Sequence, residues 1–121
     1  MNINWITIKV NDLEKSKQFY NKYLGMKVES EFSVNEFINI VFFEAKNGIK
    51  IELIHDKNID DVKIDTNSNI SIGITSHRYY ELLSHARETN IITIEPTILG
   101  GGLECFFVSD PNGVGIQIIK P

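Results

Sequence analysis

The sequence has only one cysteine and no long apolar run, and these two shortages exclude several classes of protein. Cys105 has no second cysteine to pair with, so no disulfide can form within the chain. No apolar stretch approaches the ~20 residues that a membrane-spanning helix needs. The N-terminal segment MNINWITIKV also lacks the charged start and long apolar run of a secretion signal. We therefore expect a cytoplasmic protein with no membrane partner.

The charged residues show no excess of positive charge. Lysine and arginine number 12 against 16 aspartates and glutamates, which gives a net charge of −4. A nucleic-acid-binding protein needs a basic patch or stripe, and none is visible here. We therefore expect no nucleic-acid partner.

The hydrophobic pattern predicts one order of strands and helices that occurs twice. Residues 3–10 alternate between apolar and polar side chains, which is typical of a strand with two different environments. Asn11 and Glu14 then fit a capping box, and Gly25 supplies a C-terminal stop, which predicts a helix of about three turns. Further strands are predicted at 26–32, 37–44, 49–55, 69–75, 91–95, 103–108 and 114–119, with a second helix beginning near Ser76.

Each half of the chain therefore follows the order βαβββ. The polar segment 56–69 separates the halves, and Glu52 and Gln117 occupy the same place in their last strands, 65 residues apart. The last two strands are joined by Asp110-Pro111-Asn112-Gly113, which has the composition of a tight turn. A duplicated module is the simplest account, with the first module at about 1–57 and the second at about 68–121.

Two segments carry a resemblance to a known family. The opening ITIKVNDLEKSKQFYNKYLGMKV and the closing GGGLECFFVSDPNGVGIQII resemble the vicinal oxygen chelate superfamily, which includes glyoxalase I, extradiol dioxygenases, fosfomycin-resistance proteins and bleomycin-resistance proteins. The resemblance implies one α+β domain over residues 1–121, in which two βαβββ modules form a curled mixed sheet around a cleft with the helices outside. It also implies a homodimer, because two chains commonly form the mature sites.

The resemblance further implies where a metal would bind in metal-dependent members. The four ligand positions fall on Trp5, Glu52, Asn69 and Gln117, or on Ser71 in place of Asn69 if that strand is shifted by two residues. Only Glu52 is a good ligand, because indole has no lone pair to offer and neutral amide oxygens are weak donors. We therefore expect no metal and no other cofactor.

A cleft without a metal suggests a protein that binds a small molecule and does not convert it into a product. By its similarity to drug-sequestering relatives, the favoured hypothesis is metal-independent binding of a small planar aromatic or amphipathic molecule, with Trp5 as the platform and Glu52 favouring positive charge. Phenylalanines on the alternating strands would supply an apolar wall. The predicted ligand-binding residues are Trp5, Thr7, Glu52, Asn69, Ser71, Phe106 and Gln117.

The sequence leaves three alternatives open. Glu52 can be the general base, or a metal ligand, of a glyoxalase-like lyase, isomerase or dioxygenase-type enzyme. Trp5 can instead fill the cleft or a dimer interface, and Glu52 can form an ion pair with Lys9. A structural or regulatory dimer with a vestigial cleft is the third alternative.

Overall fold

A computed structural model describes residues 1–59 and 69–121 of the chain. The chain divides into two compact units, Met1–Lys63 and Ile64–Pro121. The described strands pair into two four-stranded mixed sheets, one in each unit. In the part of the chain that the structure describes, no helix is long and apolar enough to cross a membrane.

The first unit contains one sheet and one helical segment. Its strands are β1 (Trp5–Lys9), β2 (Lys27–Ser33), β3 (Ile38–Glu44) and β4 (Lys50–Asp56). They lie in the order β1-β4-β3-β2, with β1 parallel to β4 and the other neighbours antiparallel. Helix α1 (Leu13–Gln18) follows β1 and continues as a π-helical turn over Phe19–Tyr23.

The start and the end of the first helical segment differ from the prediction. Asp12 is the N-cap, and its carboxylate accepts a hydrogen bond from the Lys15 backbone N–H at 3.0 Å. The predicted capping box of Asn11 and Glu14 is therefore wrong, because the cap lies one residue later. The π-helical turn also interrupts the predicted α-helix, and its Phe19, Tyr20 and Tyr23 side chains are all buried.

The second unit repeats this topology. Its elements are β5 (Ser71–Thr75), α2 (Tyr79–Glu88), β6 (Ile92–Leu99), β7 (Leu103–Ser109) and β8 (Gly115–Ile119), and the sheet order is β5-β8-β7-β6. The α+β class and the two βαβββ modules are thereby confirmed. Helix α2 begins at Tyr79 and not near Ser76, because the Ser76 hydroxyl accepts a hydrogen bond from the Arg78 N–H in the turn before the helix.

One face of each sheet forms the core of its unit. In the first unit, the Tyr20 ring lies against Phe43 of β3, with ring centroids 6.0 Å apart. In the second unit, Tyr79 of α2 meets Phe106 of β7 edge to face, at 5.2 Å between centroids. All four of these side chains are buried, so the opposite face of each sheet is left for other roles.

The turn before β8 is built around a buried carboxylate. Asp110 is only 4% exposed, and its Oδ1 accepts hydrogen bonds from the backbone N–H groups of Asn112 and Val114 at 2.8 and 2.7 Å. Gly113 has φ of 85°, a conformation that glycine adopts without a steric penalty. The predicted tight turn between the last two strands is confirmed.

Candidate functional site

The sheet face opposite the core of the first unit carries the polar candidates from the sequence. Trp5 and Thr7 are exposed on β1, and half-buried Glu52 lies on β4 between buried Ile51 and Leu53. Thr7 and Glu52 are register partners on adjacent parallel strands. We call this surface the Glu52 face and define it by Trp5, Thr7, Phe42 and Glu52.

In the described part of the chain, Glu52 is a carboxylate without a positive partner. The Thr7 hydroxyl donates a hydrogen bond to Glu52 Oε1 at 2.6 Å. Among the described residues, Glu52 forms no ion pair, and the nearby Lys50 is paired with Glu29 at 3.2 Å. The predicted alternative of an ion pair with Lys9 is not formed in this structure. Within the described residues, the donor that contacts the Glu52 carboxylate is therefore the neutral Thr7 hydroxyl.

Three aromatic rings follow one another across the Glu52 face. The Trp5 and Phe42 rings meet edge to face at 5.4 Å between centroids, and Phe42 stacks on Phe32 at 6.3 Å. Phe42 is the register partner of Glu52 on β3, so the rings pass beside the carboxylate. Trp5 is 50% exposed and Phe32 is 46% exposed. This row combines aromatic surface with one carboxylate.

The corresponding face of the second unit has a different chemistry. Gln117 on β8 is the register partner of Gly73 on β5 and of Phe107 on β7. Its amide nitrogen lies 3.3 Å from the Cys105 sulfur, to which it donates a hydrogen bond. Gly73 offers no side chain, and a Cβ added there would meet the Gln117 amide oxygen at 3.5 Å. No carboxylate occupies the position that matches Glu52.

Two of the predicted ligand-binding residues lie elsewhere. Phe106 is fully buried against Tyr79 in the core, on the opposite side of β7 from Phe107, so its prediction as a ligand contact is wrong. Asn69 precedes β5, which begins at Ser71. Since Thr7 matches Gly73 by register, the counterpart of Trp5 two residues earlier is Ser71.

Sequence reasoning missed Phe32 and did not single out Phe42. The alternation of β3 indicates that Phe42 and Phe43 lie on opposite faces, but which of them is buried depends on the helix that packs there. Phe32 reaches the Glu52 face through the pairing of β2 with β3, whose register shifts between Val28 and Ser30. No local sequence signal marks that shift, because a bulge is decided by the pairing of two strands.

The donor set does not fit a divalent metal. Within residues 1–59 and 69–121, no group of three or more histidine, cysteine, aspartate or glutamate side chains is placed to hold an ion. Of the positions that the resemblance assigns to ligands, only Glu52 carries a carboxylate, while Trp5 has no lone pair to offer and Gln117 has a neutral amide. The absence of a metal cofactor stays a prediction.

Comparison with known proteins places the chain in a family. The family model described as the Glyoxalase/Bleomycin resistance protein/Dioxygenase superfamily matches residues 2–118. The chain belongs to this superfamily. The resemblance carried by the two end segments of the sequence is thereby confirmed, and it extends over nearly the whole chain.

Among members of the superfamily, several similar proteins carry glyoxalase names. The probable lactoylglutathione lyase of Vibrio cholerae is 29% identical over 93% of this chain and 86% of its own length. The lactoylglutathione lyase of Haemophilus influenzae is 26% identical over 99% of this chain and 93% of its own. The trypanothione-dependent glyoxalase I of Leishmania major superposes with a TM-score of 0.81 at 27% identity, covering 99% of this chain and 86% of that structure.

Proposed function

We propose that this protein is a glyoxalase-like enzyme of the lyase or isomerase type, with Glu52 as its general base. The observation that carries the proposal is the Glu52 carboxylate, which has no positive partner among the described residues and lies beside an exposed aromatic row. The lactoylglutathione lyases of Vibrio cholerae and Haemophilus influenzae, which match this chain over most of their length, support the reaction class.

The proposed reaction follows from the word lactoylglutathione in the names of these relatives, which denotes a lactoyl thioester of glutathione. A lactoyl thioester is an isomer of the hemithioacetal that methylglyoxal forms with a thiol. The two differ by the transfer of one proton from the thiol-bearing carbon to the neighbouring carbon and of the hydroxyl proton from one oxygen to the other, so that the carbonyl group changes carbon. A base that removes the proton from one carbon and returns it to the next completes the isomerisation once the hydroxyl proton has also passed between the two oxygens, and no other reactant is consumed.

Glu52 has the properties that such a base needs. Its Oε1 accepts the Thr7 hydrogen bond, whereas among the described residues no donor reaches Oε2. A carboxylate that has neither an ion pair nor a full set of donors can accept a proton at the free oxygen. This assignment uses no metal, in agreement with the donor set on the two sheet faces.

Replacing Glu52 with glutamine tests the proposal. Glu52→Gln keeps the shape of the side chain and removes its basicity, so we expect kcat to fall by about 10²-fold to 10⁴-fold. The assay mixes methylglyoxal with glutathione or trypanothione and follows thioester formation by its ultraviolet absorbance. Glu44→Gln is the matched control, since Glu44 is an exposed carboxylate at the end of β3. A Glu52→Gln protein as active as the wild type would contradict the proposal.

Binding of a planar molecule without a reaction is the second candidate function. The specific observation in its favour is the row of Trp5, Phe42 and Phe32, whose two ends are about half exposed. Aromatic faces bind planar and cationic groups, and Glu52 adds a negative charge. If the wild-type protein turns over no thiol adduct but binds planar aromatics through Trp5, this second function is the better description.

A further inference from the structure

We propose that Thr7 is a positioning residue, whose hydroxyl holds Glu52 in one orientation and leaves Oε2 directed to the substrate. This inference rests on the proposed function, because Glu52 is the base in both. It assigns to Thr7 a role that differs from the ligand contact predicted from the sequence. The hydrogen bond from Thr7 Oγ1 to Glu52 Oε1, at 2.6 Å, is the observation behind it.

The strands hold both side chains in place. Thr7 is the middle residue of β1, and it is paired in register with Glu52 on β4. Strand β4 lies between β1 and β3, so hydrogen bonds to both neighbours fix its backbone. Threonine is branched at Cβ and has few χ1 rotamers, so its hydroxyl direction varies little. Hydrogen bonds to ionised carboxylates are shorter and stronger than neutral ones. The geometry therefore favours a single carboxylate orientation.

No other described neighbour can replace Thr7 in this role. Phe42, the register partner of Glu52 on β3, is apolar and offers no donor. Lys50 is paired with Glu29, and Lys9 lies in register with Ile54. Without the Thr7 hydroxyl, the described part of the chain supplies no donor to the carboxylate, so it would sample several rotamers.

The second unit provides an internal comparison. Gly73 occupies the position that matches Thr7, and Gln117 the position that matches Glu52. Glycine has no hydroxyl, and Gln117 donates to Cys105 on the opposite neighbouring strand. The fold therefore forms without a donor at this position, and the donor is present in the unit that carries the carboxylate. This difference supports a functional role for Thr7 over a purely structural one.

The experiment compares three variants in the thiol-adduct assay. Thr7→Val has the same shape without the hydroxyl, and we expect kcat to fall by about tenfold with KM changed less than twofold, as for the loss of one hydrogen bond to a charged group. Thr7→Ser restores the hydroxyl and is expected to recover at least half of the wild-type kcat. Thr93→Val, at an exposed strand threonine of β6, is the control and is expected to match the wild type.

A second measurement does not depend on activity. Three-bond scalar couplings report the χ1 torsion of Glu52 by nuclear magnetic resonance. We expect the values of one rotamer in the wild type and in Thr7→Ser, and averaged values in Thr7→Val. Unchanged couplings in Thr7→Val would overturn the inference, and so would a wild-type kcat in that variant. An inactive wild type with the expected couplings would overturn the proposed function and leave the positioning role supported.

Discussion

At the scale of single residues, Glu52 and Gln117 occupy matching positions and have different neighbours. Glu52 accepts a hydrogen bond from Thr7, whereas Gln117 faces Gly73 and donates to Cys105. The carboxylate can exchange a proton and the amide cannot. Of these two matching positions, the one in the first unit therefore carries a group suited to acid–base chemistry, and the one in the second unit does not.

Trp5 provides a direct test of the aromatic row. It is the only tryptophan in the chain, so titration of planar aromatics into the wild-type protein is expected to change its fluorescence. Stacking and cation–π attraction are each worth on the order of 1 to 2 kcal/mol, so Trp5→Ala is expected to weaken the best binder by about tenfold or more, measured by calorimetry. Glu52→Gln is expected to weaken cationic compounds selectively.

The control for this titration is another exposed aromatic residue. Phe37 precedes β3 and is 40% exposed, but it makes no ring contact with the row of Trp5, Phe42 and Phe32 in the structure described. Phe37→Ala is therefore expected to bind as the wild type does. Equal weakening by Phe37→Ala and Trp5→Ala would show that the loss is not specific to the row.

At the scale of elements, the hairpin of β7 and β8 depends on one buried side chain. Asp110 accepts hydrogen bonds from two backbone N–H groups, and its second oxygen lies 3.1 Å from the Asn112 side-chain nitrogen. The turn brings Gln117 back alongside Phe107. The position of Gln117 on β8 therefore depends on Asp110, which lies outside the strand.

Removal of the Asp110 carboxylate is expected to destabilise the fold. Asp110→Ala leaves two part-buried N–H groups without their acceptor, which costs about 1 to 3 kcal/mol each when the groups are shielded from water, so we expect a loss of at least ~2 kcal/mol in the free energy of unfolding. Urea denaturation measures it. Asp56→Ala is the matched control, because the Asp56 carboxylate accepts one exposed N–H, that of Asn58, at 2.9 Å. Equal losses in the two variants would contradict the role given to Asp110.

At the scale of the whole molecule, the exposed aromatic row bears on the number of chains. Apolar surface of this kind is often covered in an assembly, and the superfamily resemblance implies that two chains form the mature sites. The homodimer stays a prediction. A dimer interface and a bound ligand would both cover the row of Trp5, Phe42 and Phe32, so the two roles are alternatives for the same surface. Trp5 reports on both.

We expect light scattering at micromolar concentration to give twice the chain mass of 13.8 kDa. If Trp5 lies in the interface, dilution to the monomer will shift its emission to longer wavelength as the ring becomes solvated. If the row binds ligand instead, dilution will leave the emission unchanged. A monomer at all concentrations would contradict the dimer prediction and would leave the aromatic row free for a ligand.

Much of the fold could be predicted from the sequence, and the site only in part. The strand order within each module and the Asp110 turn follow from periodicity and turn composition, which are local properties. Trp5, Thr7 and Glu52 were predicted on one face by alternation, and the structure brings them together. Phe106 lies on the core face of β7, and its neighbour Phe107 lies on the face where Phe106 was expected. Alternation separates the two faces of a strand without indicating which of them the helix covers.

The sequence by itself determined the duplicated βαβββ order, the family and the presence of an amide, Gln117, at the position that matches Glu52. These features depend on residue identity and on how apolar residues recur, every two residues in a strand and every 3.6 in a helix. Both are visible in the sequence without any partner strand. Only the tertiary structure decided that Thr7 meets Glu52, that Phe32 reaches Phe42 and that Ser71 matches Trp5. Contacts between strands depend on register, and register is set by pairing across segments that are distant in sequence.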